Sequence, residues 1–198
     1  MEFHASPNHG IRTFGGTPRL IVLHYTAMRG GSGPVITHFR DASVQLSAHY
    51  VVGRGGRCVR MVDEGRRAWH AGIGRWGDFA DVNSFSIGIE LCNDGDQPFA
   101  ARQMRTLEVL LRDLMDRHAI PPQGVIGHSD SAPGRKIDPG PRFDWRRLAA
   151  KGLSVWPEAR DVARVDADAF HADLRRFGYT AVAGDAVLLD AFRLRFRP

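Results

Sequence analysis

Leu20-Ile21-Val22-Leu23-His24 decides the fold: four apolar residues in a row, bounded by Pro18, end on a histidine. A run of that length predicts a buried strand, with His24 delivered at its C-terminal end. Working outward, the glycine-rich loop Gly30, Gly31, Gly33 leads to a short helical stretch around Val35 to Arg40. Ala48 to Val52 and Cys58 to Val62, β-rich runs either side of Gly55-Gly56, predict a hairpin. Ser86-Ile87-Gly88-Ile89-Glu90-Leu91 reads as a further strand, with Glu90 on the face opposite Ile89 and Leu91. From Ala100 to His118, Met104, Leu107, Leu111, Leu114 and Met115 keep helical spacing until Pro121-Pro122 stops the run. Val125-Ile126-Gly127-His128 is a short buried strand that again ends on a histidine, and Trp145 to Ala149 closes the domain as a helix. The class is therefore α/β, a central mixed β-sheet flanked by helices.

Three segments follow: a domain over 1–150, a linker over 151–160 with a glycine and a proline but little periodicity, and a small helical segment over 161–198. In that last segment Phe170, Leu174 and Phe177 share one helical face, and Leu188, Leu189, Phe192 and Phe196 another, with breaks at Gly178 and Gly184. About forty residues barely make a core alone, so this piece is expected to pack against the main domain.

A formal charge of +5 comes almost entirely from arginine, since Lys136 and Lys151 are the two lysines. Such a balance suits an anionic partner, including acidic cell-wall polymer. The arginines are scattered and no nucleic-acid motif accompanies them, so no nucleic acid is expected as a partner. Cys58 and Cys92 make neither a disulfide framework nor a metal-ligand pair and are expected as buried free thiols. Residues 1–7 lack a basic n-region and an apolar h-region, and no apolar stretch is long enough to cross a bilayer. A cytoplasmic protein is expected, or a periplasmic one if a leader was removed. Without an exposed heptad or long apolar stripe, a monomer is expected.

Chemistry gathers where strands end: His24, Glu90 and His128, then Lys136 and Asp138 in the following loop. Two histidines and a carboxylate suffice for a catalytic zinc, with the fourth position left for water. Zinc lowers the pKa of its water from about 15.7 toward about 7. A glutamate can take that water's proton and a lysine can face the developing oxyanion. On residue chemistry alone, a metal site and plain core or surface histidines stand side by side, because His128 and Asp138 have no regular helical spacing.

Resemblance breaks the tie. Leu23-His24-Tyr25-Thr26-Ala27, Ser47 to Val52, Ala68-Trp69-His70-Ala71-Gly72, Ser86 to Glu90, and Gly127-His128-Ser129-Asp130 through Pro133-Gly134-Arg135-Lys136-Ile137-Asp138-Pro139-Gly140 together resemble the zinc-dependent N-acetylmuramoyl-L-alanine amidases. The likeness is nearest to the AmpD and AmiD branches, with peptidoglycan recognition proteins and T7-type lysozyme further off, and it spans roughly residues 6 to 150. It implies one zinc per chain on His24, His128 and Asp138, with Glu90 and Lys136 catalytic. It further implies hydrolysis of the amide between the lactyl group of N-acetylmuramic acid, or its 1,6-anhydro form, and the L-alanine of the stem peptide, in wall turnover or muropeptide recycling. Peptidoglycan or an anhydro-muropeptide is then the partner. In the resemblance, aspartate as third ligand belongs to bacterial members, where phage and animal members carry cysteine.

His49, Trp69, His70, Asn83 and Arg135 are the candidate substrate-binding residues, each with a structural alternative in core, turn or solvated loop. Residues 161–198 resemble, more faintly, a peptidoglycan-binding three-helix segment. The competing readings are a non-catalytic wall-recognition module, which typically lacks a ligand, and a prophage endolysin amidase.

Overall fold

Along residues 1–158 and 166–197, which the computed structural model describes, the backbone runs β1 (Glu2–Phe3), β2 (His9–Ile11), β3 (Leu20–Tyr25), α1 (Ser32–Arg40), β4 (Tyr50–Val52), β5 (Cys58–Arg60), β6 (Arg66–Ala68), α2 (Val82–Phe85), β7 (Ser86–Leu91), α3 (Ala101–His118), β8 (Val125–Gly127), α4 (His128–Ser131), α5 (Trp145–Ala149), α6 (Ala167–Phe177) and α7 (Asp185–Phe196). Six strands form one sheet in the order β1-β5-β4-β7-β3-β8, and β2 pairs with β6 in a small ribbon. β4, β7, β3 and β8 run parallel while β4 and β5 form the expected antiparallel hairpin, so the sheet is mixed.

Strand alternation divides the sheet into two different faces. Ile21, Leu23, Ile87, Ile89, Leu91, Tyr50 and Val52 pack against Met104, Leu107, Leu111 and Leu114 of α3. This is the apolar stripe that the sequence shows at three- and four-residue spacing, and truncating one of its buried leucines to alanine costs about 2–5 kcal/mol. The other face is covered in two patches. Val35, Ile36 and Phe39 of α1 meet Val51, Val59 and Met61 at one side. Leu174, Tyr179, Leu188 and Ala191 meet Leu20, Val22 and Ile126 at the other. Between the two patches lie the polar positions of β7 and the end of β3.

The C-terminal helices therefore share a core with the sheet, as their short length requires. Gly178 caps the end of α6 and Gly184 the start of α7, at the two breaks. The linker reading for 151–160 is only partly a matter of the described residues, since 159–165 lie outside them. What is described is packed: Leu153 and Ser154 are buried, and the Trp156 ring meets Phe196 edge-on and lies under Arg146. Cys92 is buried and free, whereas Cys58 is free but only partly buried. Among the described residues, no helix is long and apolar enough to cross a membrane.

Candidate active site

β3 and β7 lie parallel with His24 in register with Glu90. Residues in register point to the same side, so both side chains emerge at the carboxyl ends of neighbouring strands, where open α/β sheets collect ligands. β8 stops one residue before His128, which begins the one-turn helix α4. The chain then loops back, and the Ser129 N–H donates to the Asp138 carbonyl at 2.9 Å, which draws Asp138 in beside His128.

The result is a triangle of three buried side chains. His24 Nδ1 is 3.0 Å from His128 Nδ1 and 2.8 Å from Asp138 Oδ2, and His128 Nδ1 is 3.0 Å from the same oxygen. The donor set suits a metal ion. His128 Nε2 lies 2.9 Å from the Ala71 carbonyl, which can only accept, so this nitrogen carries the ring proton. With that proton on Nε2, His128 can turn an Nδ1 lone pair into the triangle, opposite the carboxylate oxygen of Asp138. Three donor atoms converging this closely form a group that could hold a metal ion. Two imidazoles and one carboxylate match the ligand chemistry of a catalytic zinc site.

Burial pulls His24 down to about pKa 4, with His128 adding to the effect. Burial alone would raise Asp138, but the neighbouring His128 and His24 outweigh it and hold the carboxyl well below its usual range. Glu90 goes the other way: burial, then the charge of Asp138, pushes it up to about 8. Its Oε2 is buried with no hydrogen-bond partner among the described residues. The charge of the partly exposed Lys136 opposes the rise in Glu90 and also lowers His24. An unpaired carboxyl with a pKa near neutrality is suited to moving protons.

Of the five residues assigned to substrate, three are too deeply buried for that work. His49 is fully buried; its Nδ1 accepts from the Gly88 N–H at 3.0 Å and its Nε2 lies 3.1 Å from the Arg66 carbonyl. His70 is 4% exposed and sits behind His24, its Nδ1 3.0 Å from His24 Nε2. Asn83, also 4% exposed, accepts from the backbone N–H groups of His70 and Ala71. Arg135 is exposed, but its guanidinium donates to the carbonyls of Ala71 and Ile73 and so holds a loop. Trp69 is half-buried, with its ring against Gly10 of β2.

A model of the Amidase_2 family, N-acetylmuramoyl-L-alanine amidase, matches residues 14–141. The chain belongs to the N-acetylmuramoyl-L-alanine amidase family. AmiD of Escherichia coli, itself an N-acetylmuramoyl-L-alanine amidase, is 35% identical over 91% of this chain and 75% of its own length. AmpD of the same organism, a 1,6-anhydro-N-acetylmuramyl-L-alanine amidase, is 35% identical over 72% of this chain and 87% of its own. The fold matches that of Escherichia coli AmiD solved with anhydro-N-acetylmuramic acid-L-Ala-D-gamma-Glu-L-Lys. The TM-score is 0.80 and the identity 34%, covering 94% of this chain and 84% of that one.

In this amidase the matched region contains the whole buried triangle together with Glu90 and Lys136. Two further residues are essential to the site's architecture and carry no motif-like signal. Arg12 is 8% exposed, and its guanidinium donates to the carbonyls of Glu64, Asn83, Ser84 and Ser86. It thereby ties the ribbon strand β2 to the start of β7. Arg195 does the same for α7, donating to Asp130, two residues past His128. For Ser86 and Gly88 a signal did exist: with Glu90 they make a small-or-polar face on an otherwise apolar strand, which a strand buried against plain core has no reason to keep.

Proposed function

We propose that the amidase binds one zinc ion through His24, His128 and Asp138. On this reading it cleaves the amide between the lactyl group of N-acetylmuramic acid, or its 1,6-anhydro form, and the L-alanine of the stem peptide. The observation that carries this is the convergence of three proton-poor donor atoms beside a buried, unpartnered Glu90 carboxyl. AmiD and AmpD, by their names, act on that linkage, and their similarity covers 91% and 72% of this chain. Zinc bound there supplies a Lewis acid that makes water acidic near neutral pH.

The protein's own groups do the rest. Glu90 accepts the proton of the attacking water on Oε2, which has no other hydrogen-bond partner among the described residues, and returns it to the departing alanine nitrogen. The Lys136 ammonium faces the oxygen that gains charge on the lactyl carbon. Ionised Asp138 balances the added charge of the cation.

Metal content by mass spectrometry, together with hydrolysis of purified anhydro-muropeptide and of intact sacculi, tests this directly. Wild-type protein should hold close to one zinc and release the stem peptide. Glu90→Ala should keep the zinc and lose at least about 100-fold in rate, the usual scale for a general base. Cleavage near the wild-type rate by zinc-loaded Glu90→Ala removes Glu90 from the base role, and zinc-free protein that added zinc does not activate removes the metal reading. Faster hydrolysis of sacculi than of fragment would accord with a wall-gripping role for residues 161–198.

A further inference from the structure

Four imidazoles stand in a row across the sheet, from His49 through His70 and His24 to His128, with successive ring centres 5.8, 5.1 and 4.5 Å apart. Their protons can be assigned from the fixed groups at one end. Ser86 Oγ lies 2.5 Å from the Val82 carbonyl, a distance at which the hydroxyl must donate its single proton there. It therefore has only lone pairs left for His70 Nε2, at 3.3 Å, so Nε2 of His70 carries that ring's proton. Neutral His70 presents a bare Nδ1 to His24 Nε2 at 3.0 Å, and that nitrogen must in turn carry the His24 proton. His24 is left with a bare Nδ1, aimed into the triangle. Val82, Ser86, His70 and His24 are each between 0 and 4% exposed, which leaves bulk water little access to the chain of protons.

The hollow that receives His70 is made by Gly88. A Cβ at that position would lie 2.4 Å from the His70 Cγ, well inside contact distance, so no other residue on β7 leaves room for the ring. The backbone of the same segment serves the second histidine, because the Ala71 carbonyl takes the proton of His128 Nε2. Both residues are held from behind by one atom, Asn83 Oδ1, which accepts from the His70 N–H at 3.0 Å and the Ala71 N–H at 2.8 Å.

We infer that His70 and Ala71, anchored by Asn83 and seated in the Gly88 hollow, form a single positioning unit that fixes the remote nitrogens of both His24 and His128. The unit turns both Nδ1 lone pairs toward Asp138 in advance of any ligand. Partners of this kind raise ligand basicity and fix ring orientation, and losing one typically weakens metal affinity about 10- to 100-fold. The inference rests on the reading of His24 and His128 as zinc ligands, and its test separates the two.

Long-range nitrogen–proton NMR of the metal-free wild-type protein reads the ring tautomers with no variant that has to fold. His70 should carry its proton on Nε2 and none on Nδ1; a proton on Nδ1 overturns the inference, whatever becomes of zinc. Zinc affinity is then measured by chelator competition. His70→Leu should weaken it about 10- to 100-fold. His70→Asn, whose Oδ1 stands where Nδ1 stood and accepts from His24 Nε2, should recover most of that loss, which mere filling of the hollow does not achieve. Affinity unchanged in His70→Leu, or no better in His70→Asn than in His70→Leu, overturns the positioning role. Wild-type protein that binds no zinc while showing the expected tautomers overturns the metal reading on which the inference depends.

Discussion

Arg195 of the last helix donates to Asp130, two residues beyond His128, and neither side chain reaches water: they are 1% and 0% exposed. Asp130 also accepts from the Tyr179 hydroxyl and, at 2.8 Å, from the Gly127 N–H. Arg195 further donates to the Val125 carbonyl at 3.0 Å and lies over the Trp145 ring. The C-terminal segment thus inserts a cation against the one-turn helix α4, which carries one corner of the His24–His128–Asp138 triangle.

Removing that cation leaves a buried carboxylate short of its charge partner. Arg195→Met should cost about 3–5 kcal/mol, the scale for breaking one side of a buried pair. In a chain of this size that lowers the melting temperature by on the order of 10 °C in a thermal scan. Asp130→Asn combined with Arg195→Met should recover part of the loss. A single variant that melts with wild type would show that the pair contributes nothing.

Gly178 tests the docking of the same segment from its other end. Its φ of +140° disfavours any side chain, and a Cβ there would come within 2.3 Å of the Trp76 ring. Gly178→Ala should destabilise the fold by about 2 kcal/mol or more, combining backbone strain with forced repacking. Urea unfolding followed by tryptophan fluorescence reads both terms together.

Glu90 gives the metal-free protein a pH dependence whose sign follows from its direction of shift. The folded value of about 8 lies above the ordinary 4.5, so folding favours the protonated carboxyl. Its stabilising effect is complete below about pH 4.5, diminishes as the pH climbs toward 8, and is gone above that. Metal-free wild type should lose a few kcal/mol more than Glu90→Gln between pH 5 and 8, an order-of-magnitude figure from the size of the shift. Parallel stability curves for the two proteins would show that Glu90 is not buried in its charged form.

Zinc should stabilise the protein by mass action. At about 1,000 times the dissociation constant the gain is about 4 kcal/mol, which calorimetry reads as a higher melting temperature. Chelation should reverse it. Asp138→Ala and His24→Ala should melt at the same temperature with and without zinc, because each removes one donor of three.

The sheet and its main helix were legible because their patterns are long. A continuous apolar run for β3, a six-residue alternation for β7 and eighteen residues at 3.6 for α3 each leave a clear trace, and the three elements lie where those traces put them. β1, β2 and β6 span two or three residues each, too few for any period to show. At the site, His24, Glu90 and His128 could be picked out because each ends or follows an apolar run. The supporting layer could not be picked out in the same way. His70 is a polar residue in a loop and Asn83 one in the single-turn helix α2, and sequence alone does not say whether such a residue faces water or another side chain. Arg12 is harder still: besides His49, its partners are backbone carbonyls 52 to 74 residues away, and every residue type offers a carbonyl.

The contact between Arg195 and Asp130 also bears on the order in which the molecule can be made. Synthesis runs from the N-terminus, and the sheet with its α3 cover can form as soon as β8 emerges. The turn after His128 must wait, since Asp130 receives its counter-charge only once α7 (Asp185–Phe196) has been produced. The nascent chain therefore carries the strands of the sheet while Asp130 still lacks its counter-charge. A product that stops short of Arg195 has the strands and the three donor residues, yet lacks the counter-charge of Asp130, two residues beyond His128.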